Sequence, residues 1–179
     1  MKHIKRLWIV IIICSLVMPM PVKAQIKYYS KQQTKININD TINRNRLVYT
    51  GLSLVNKTKY RSKAGSNRVF TLGNNPKYLC CSSFVSWCFY KSGIAKIDYS
   101  TWNFCHSSKF KQIKKSQLKI GDIGLIQNKY KAGNHVGIYV GKTKNGNMIW
   151  LHCTGHTGNG VTLNNDNRFK VFYRYKNFR

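Results

Sequence analysis

Tyr78–Phe89 reads YLCCSSFVSWCF, and how this run is read decides the fold. From Cys81 to Ser92 the chain is apolar nearly all round, the composition of a helix buried on every side, and Lys91 followed by Gly93 supplies a stop. The helix therefore opens on a cysteine. Unpaired backbone N–H groups and the positive end of the helix dipole favour a thiolate there, and the thiolate is the nucleophilic form. The competing reading of Cys81 is a small buried hydrophobe, the commonest fate of an isolated cysteine.

Downstream, the period changes from helical to alternating. DIGLIQ (122–127), HVGIYV (135–140), NMIWLH (147–152) and FKVFYRY (169–175) are short, rich in β-formers and separated by glycine, asparagine and lysine turns. Helices first and antiparallel strands after predict an α+β fold, with N-terminal helices packed on a C-terminal antiparallel sheet.

Upstream, residues 1–24 carry a basic head, an apolar run broken by Pro19 and Pro21, and small residues before a cleavage point after Ala24. This is the pattern of an export signal, too short and interrupted for a permanent membrane anchor. Residues 25–39 form a polar linker, and 40–179 form one domain, since a chain of this size holds a single core. Within it, Asp40 or Thr41 can cap a helix with Val48, Leu52 and Val55 on one face, although Gly51 weakens its middle.

The chain has 31 basic residues against four aspartates and no glutamate, a formal charge of +27, or +23 once residues 1–24 are removed. Such a field favours polyanions, and export makes anionic wall polymers or lipids better partners than nucleic acid. The only dense basic cluster, KFKQIKK (109–115), matches no nucleic-acid-binding motif. Beyond the leader five cysteines remain, an odd count that leaves at least one thiol free or intermolecular. There is no CxxC pair, and Cys105-His106 and His152-Cys153 are adjacent residues whose side chains diverge on a strand, so no metal site is expected.

In HVGIYV the alternation sends Val136, Ile138 and Val140 to the core and His135, Gly137 and Tyr139 to the other face. A histidine facing a helix-capping cysteine would be a general base. Hairpin register decides its partner. A two-residue turn at Asn145-Gly146 would set His152 opposite Tyr139 and leave His156 to reach His135, whereas a wide loop over 141–146 would pair His152 directly with His135.

CSSFVSW at a helix start, LKIGDIGLI, HVGIYVG and IWLHC together resemble the NlpC-type cell-wall cysteine peptidases, which are papain-like, over about Arg68 to the C-terminus. The resemblance implies Cys81 as nucleophile, His135 as base and His152 as the orienting residue, with no cofactor. It implies hydrolysis of peptidoglycan stem peptides, typically at the bond joining D-glutamate to the diamino acid; with the export signal this makes a secreted enzyme, expected to be a monomer. It also places the substrate pocket around Phe70, Cys80, Ser82 and Ser83. Three of these depart from the family pattern: Cys80 stands in place of aspartate, Ser83 in place of glycine, and Phe70, three residues before Gly73, in place of a substrate-holding tyrosine. Cys88 and Cys153 read as packing residues, and a vicinal Cys80–Cys81 disulfide would be strained. The rival readings are a CHAP-like amidase of the same superfamily and a non-catalytic protein that binds wall polyanions.

Overall fold

The computed structural model describes residues 42–127, 133–156 and 158–178. The leader, the linker and the helix-capping candidates Asp40 and Thr41 lie outside them. Among the described residues, helices α1 (Ile42–Leu52), α2 (Cys81–Lys91) and α3 (Thr101–His106) accompany strands β1 (Lys59–Tyr60), β2 (Tyr78–Leu79), β3 (Phe110–Ile113), β4 (Ile123–Gln127), β5 (Gly133–Lys142), β6 (Met148–Thr154), β7 (Gly160–Asn164) and β8 (Val171–Tyr175). The strands form one eight-stranded sheet in the order β2-β1-β7-β6-β5-β4-β8-β3. The pairings are antiparallel except for β1 with β2, so the expected α+β arrangement of helices on an antiparallel sheet is the one observed.

The apolar run after Cys80 becomes the central helix, and its residues from Cys81 to Phe89 are all buried. α2 lies across β5 and β6 and against α1. The helix ends at Leu52, short of Val55, so Gly51 lies in its last turn and not in its middle, and it has a steric reason, because a Cβ there would sit 2.8 Å from Leu151 and 3.1 Å from both Phe84 and Cys88. α1 and α2 approach there through the missing side chain. Leu47, Val48, Leu52, Phe84, Val85, Ile138 and Leu151 share the resulting core.

The other face of the sheet, away from this core, is covered as well. Tyr139 is buried with Met148, Trp150, Phe169, Phe172 and Ile113 in a second apolar cluster. Gly124 admits this layer, since a Cβ there would meet the Trp150 ring at 2.5 Å. The sheet is therefore covered on both sides, and His135 stands at the edge of an aromatic layer, 5.6 Å between ring centres from Phe169.

Gly121-Asp122, part of the LKIGDIGLI motif, anchors the start of β4. Gly121 takes a positive φ of 84° and Asp122 is fully buried. The Asp122 carboxylate accepts from Arg44 Nη1 at 3.0 Å, Arg174 Nε at 2.9 Å and the Lys119 backbone N–H at 2.8 Å, while its carbonyl accepts the Tyr139 N–H at 2.7 Å. A buried carboxylate needs this many donors to repay its desolvation. One residue thus ties α1, β4, β5 and β8 together.

Candidate active site

The hairpin between β5 and β6 adopts neither of the two expected registers. Lys142 pairs with Met148 across a five-residue turn, and a bulge between Tyr139 and Gly141 shifts the ladder so that Ile138 pairs with Leu151. His152 consequently lies across from Gly137, where a Cβ would come within 3.1 Å of the His152 Cβ. His135 and His152 become diagonal neighbours on one face, a spacing of roughly 7–8 Å between backbones that two long side chains bridge. They do so here. His135 Nε2 and His152 Nδ1 are 2.7 Å apart, with ring centres at 5.0 Å and planes at 71°. His156 sits exposed in the turn beyond β6, so the register leaves it outside the pair.

β7, which the sequence pattern does not reveal, completes the row. His152 is opposite Thr162 on β7, and Asn164 is the diagonal neighbour on that side. Asn164 Oδ1 lies 3.0 Å from His152 Nε2 and also accepts the backbone N–H of Asp166 at 3.1 Å. The Asp166 carboxylate is clasped by Arg168, whose Nε and Nη2 reach it at 2.9 and 2.7 Å.

Cys81 approaches the pair from the helix. Its sulfur accepts the backbone N–H of Val136, the residue after His135, and those of Ser82 and Cys81 itself at the start of α2. These bonds favour the thiolate, as expected of a helix terminus, but they do not win. Burial pushes the Cys81 thiol up to about 11, with the Cys80 sulfur adding to the rise. His135 moves the opposite way. Burial, then the neighbouring His152, carries it down to about 3, against a smaller pull from Asp166. Burial also lowers His152, opposed by its bond to Asn164 and by Asp166. The resting site therefore holds a neutral thiol beside two neutral imidazoles, which corrects the expectation of a standing thiolate at Cys81.

The expected pocket residues divide. Phe70 is edge-on to Tyr90 at 5.1 Å, with the Lys96 ammonium 5.3 Å from its ring. Tyr90 is nine residues along α2 from Cys81, roughly 13 Å by the helical rise, so Phe70 belongs to the far end of the helix. The aromatic hydroxyl at the site is Tyr60 instead. Tyr60 lines a cavity of about 390 Å³ with Asn134, His135, Thr154, His156 and Arg168. Burial raises its phenol, and the thiols of Cys81, Cys80 and Cys153 raise it further.

Ser83 is fully buried and completes the helix start, accepting the Cys80 N–H at 2.9 Å and donating to the Ala64 carbonyl at 2.6 Å. Cys80 faces inward to the hydroxyls of Ser83 at 3.3 Å and of Ser66 and Ser82 at 3.5 Å. Burial raises its thiol, yet the three hydroxyls outweigh that and leave it below its ordinary value. All five cysteines among the described residues are unpaired, and burial raises the thiols of Cys88 and Cys153.

Tyr60 and Asn164 carry little sequence signal, because one lies on a two-residue strand and the other ends a short strand of mixed polarity. Asn164 could have been sought only by asking what would satisfy a buried second histidine.

Comparison with known proteins places this arrangement. Over 78 residues, 43% of the chain, it is 42% identical to a probable endopeptidase p60 of Listeria welshimeri. Over 94 residues, 52% of the chain, it is 29% identical to the peptidoglycan DL-endopeptidase CwlO of Bacillus licheniformis. These alignments span only 13% and 20% of the relatives' own lengths. The fold is shared with the NlpC/p60 domain of the peptidoglycan hydrolase SagA, at 21% identity and a TM-score of 0.52 over 74% of this chain and 97% of that one. It is shared equally with RipD of Mycobacterium tuberculosis, described as a non-catalytic NlpC/p60 protein adapted to binding peptidoglycan, at 14% identity and a TM-score of 0.52 over 74% and 96% of the two chains. The model of the NlpC/P60 family matches residues 67–175, well over half of the sequence, and the chain belongs to that family.

Proposed function

We propose that the protein is a secreted cysteine endopeptidase of peptidoglycan, with Cys81 as nucleophile, His135 as base and His152 as its orienting partner. The observation that carries this reading is the 2.7 Å contact between His135 and His152, beside a thiol bonded to the backbone of Val136. His135 takes the Cys81 proton as the sulfur attacks the scissile carbonyl carbon, then passes it to the leaving amine as the carbon–nitrogen bond breaks. Water, deprotonated by the same imidazole, attacks the thioester and releases the acid and the thiol. Because the thiol is neutral at rest, proton transfer accompanies attack and does not precede it.

Tyr60 supplies the aromatic hydroxyl that Phe70 lacks, positioned to donate to the substrate. The scissile bond is D-glutamyl to diamino acid, a choice supported by the DL-endopeptidase activity in the name of one relative. Digestion of purified peptidoglycan followed by mass spectrometry of the fragments tests it. Wild type should release fragments ending at D-glutamate, and Cys81→Ala should release none while still binding the wall.

The second reading is a wall-binding protein without turnover, favoured by the buried, raised thiol of Cys81. No fragment release by wild type would leave only that reading, whereas equal release by wild type and Cys81→Ala would remove Cys81 as the nucleophile.

A further inference from the structure

We propose that Asn164 is a positioning residue that fixes which nitrogens of the histidine pair carry protons, leaving the lone pair of His135 Nδ1 as the base that receives the Cys81 proton. This role rests on the reading of Cys81 and His135 as nucleophile and base, and it belongs to a residue that acts only through another.

One donor in the row has an identity beyond choice. A backbone N–H can only donate, and that of Asp166 points at Asn164 Oδ1 from 3.1 Å. The side-chain amide is thereby oriented, because turning it over would set its NH₂ group against that N–H. The same oxygen lies 3.0 Å from His152 Nε2. An oxygen can only accept, so His152 Nε2 bears the hydrogen. A neutral imidazole has one such hydrogen, which makes His152 Nδ1 an acceptor. Its partner at 2.7 Å, His135 Nε2, must then donate. The remaining nitrogen of His135, Nδ1, is left with a free electron pair.

The row runs diagonally across β5, β6 and β7, from His135 past Gly137 to His152 and past Thr162 to Asn164. His152 is 1% exposed, so bulk water has no access with which to replace Asn164. A neutral amide also differs from a carboxylate. It holds the imidazole without adding charge, and the pair's basicity is left to the groups around it. These are Asp166, which raises His135, and Arg168 and His156, which lower it.

Two variants and one direct observation test this. In wild type, ¹⁵N resonances of the two rings should report hydrogen on Nε2 of both. Asn164→Leu should abolish that pattern and lower kcat on the order of tenfold to a hundredfold, with KM little changed. Asn164→Asp keeps the acceptor, so the pattern and most of kcat should survive. The added charge should move the acid limb of the pH profile upward by about one unit or more. Because the rings titrate as a coupled pair, that limb belongs to both.

A wild-type His135 bearing hydrogen on Nδ1 overturns the proposal, as does a folded Asn164→Leu with unchanged kcat and pH profile. If Asn164→Leu fails to fold, the wild-type ring pattern and the Asn164→Asp shift still decide it. Should wild type cleave no peptidoglycan, the peptidase reading fails separately, and the ring pattern still reports on Asn164.

Discussion

A half-buried histidine serves as a base only while it stays neutral, and His135 stays neutral over an unusually wide range. Its ordinary value is 6.5 and burial with His152 brings it to about 3. Activity that needs the neutral ring is present above the lowered value and lost as pH falls through it. On the alkaline side, a Cys81 thiol at about 11 keeps its proton well past neutrality. The expected kcat/KM profile is therefore flat from about pH 5 to about pH 8, unlike that of an enzyme with a standing thiolate–imidazolium pair. An acid limb near 6.5, with circular dichroism unchanged, would show that the pair is wetter than its packing against Phe169 implies. Stability carries the same sign, because both histidines have lowered values in the fold: it is complete above about pH 6.5 and declines as pH falls below that.

Among the elements, what can be read in advance tracks the strength of the local pattern. The Cys81–Lys91 helix and the strands around Leu125, Val136, Ile149 and Phe172 stand out through period and composition. β1 and β7 do not, since a two-residue strand has no period and GVTLN alternates weakly. Register is not readable either, because the bulge between Tyr139 and Gly141 interrupts the regular ladder that an alternating pattern presumes. His152 thus meets His135 through a diagonal contact that neither expected register contains. The expectation for Phe70 rests on its spacing to Gly73, while Tyr60 reaches the cleft through long-range pairing. Two substitutions probe this level. Gly137→Ala would press a methyl group against His152 Cβ and Phe169, and should cost about 1–3 kcal/mol in a denaturant melt. Displacing His152 should lower turnover on the order of a hundredfold. Asp122→Ala would remove the buried carboxylate that neutralises the buried Arg44 and the half-buried Arg174, leaving them backbone carbonyls such as those of Ile120 and Gln117, and a loss of about 3–5 kcal/mol is expected. A cost below about 1 kcal/mol, the range of exposed ion pairs, would mean that water reaches the two guanidinium groups.

Over the whole molecule, positive charge prevails. The three aspartates among the described residues are all engaged, Asp98 by the Val69 N–H, Asp122 by two arginines and Asp166 by Arg168. Little negative charge is left to offset the lysines. Lys111, Lys114 and Lys115 are exposed on and beside β3, at one edge of the sheet. Retention on purified walls should weaken as salt rises from about 0.1 to about 1 M, as the screening length contracts from roughly 10 to 3 Å. Cosedimentation that ignores salt would make the positive charge incidental to binding. No helix among the described residues is long and apolar enough to cross a membrane.

The pairing of β1 with β7 bears on when the protein becomes able to act. Lys59 meets Gly160, about a hundred residues later, and the contact is so close that a Cβ on Gly160 would lie 2.3 Å from the Thr58 carbonyl oxygen. Contacts this distant in sequence form slowly, because the closure entropy of the loop must be met first. Tyr60 reaches its place through that strand, and His152 meets Asn164 only when β7 has docked on β6. A chain still emerging during synthesis carries Cys81 early but has no cleft around it. If the protein is the peptidase proposed above, its capacity to cut is thereby delayed until β7, about eighty residues after Cys81, has been released and docked, a safeguard in time that arises from strand order.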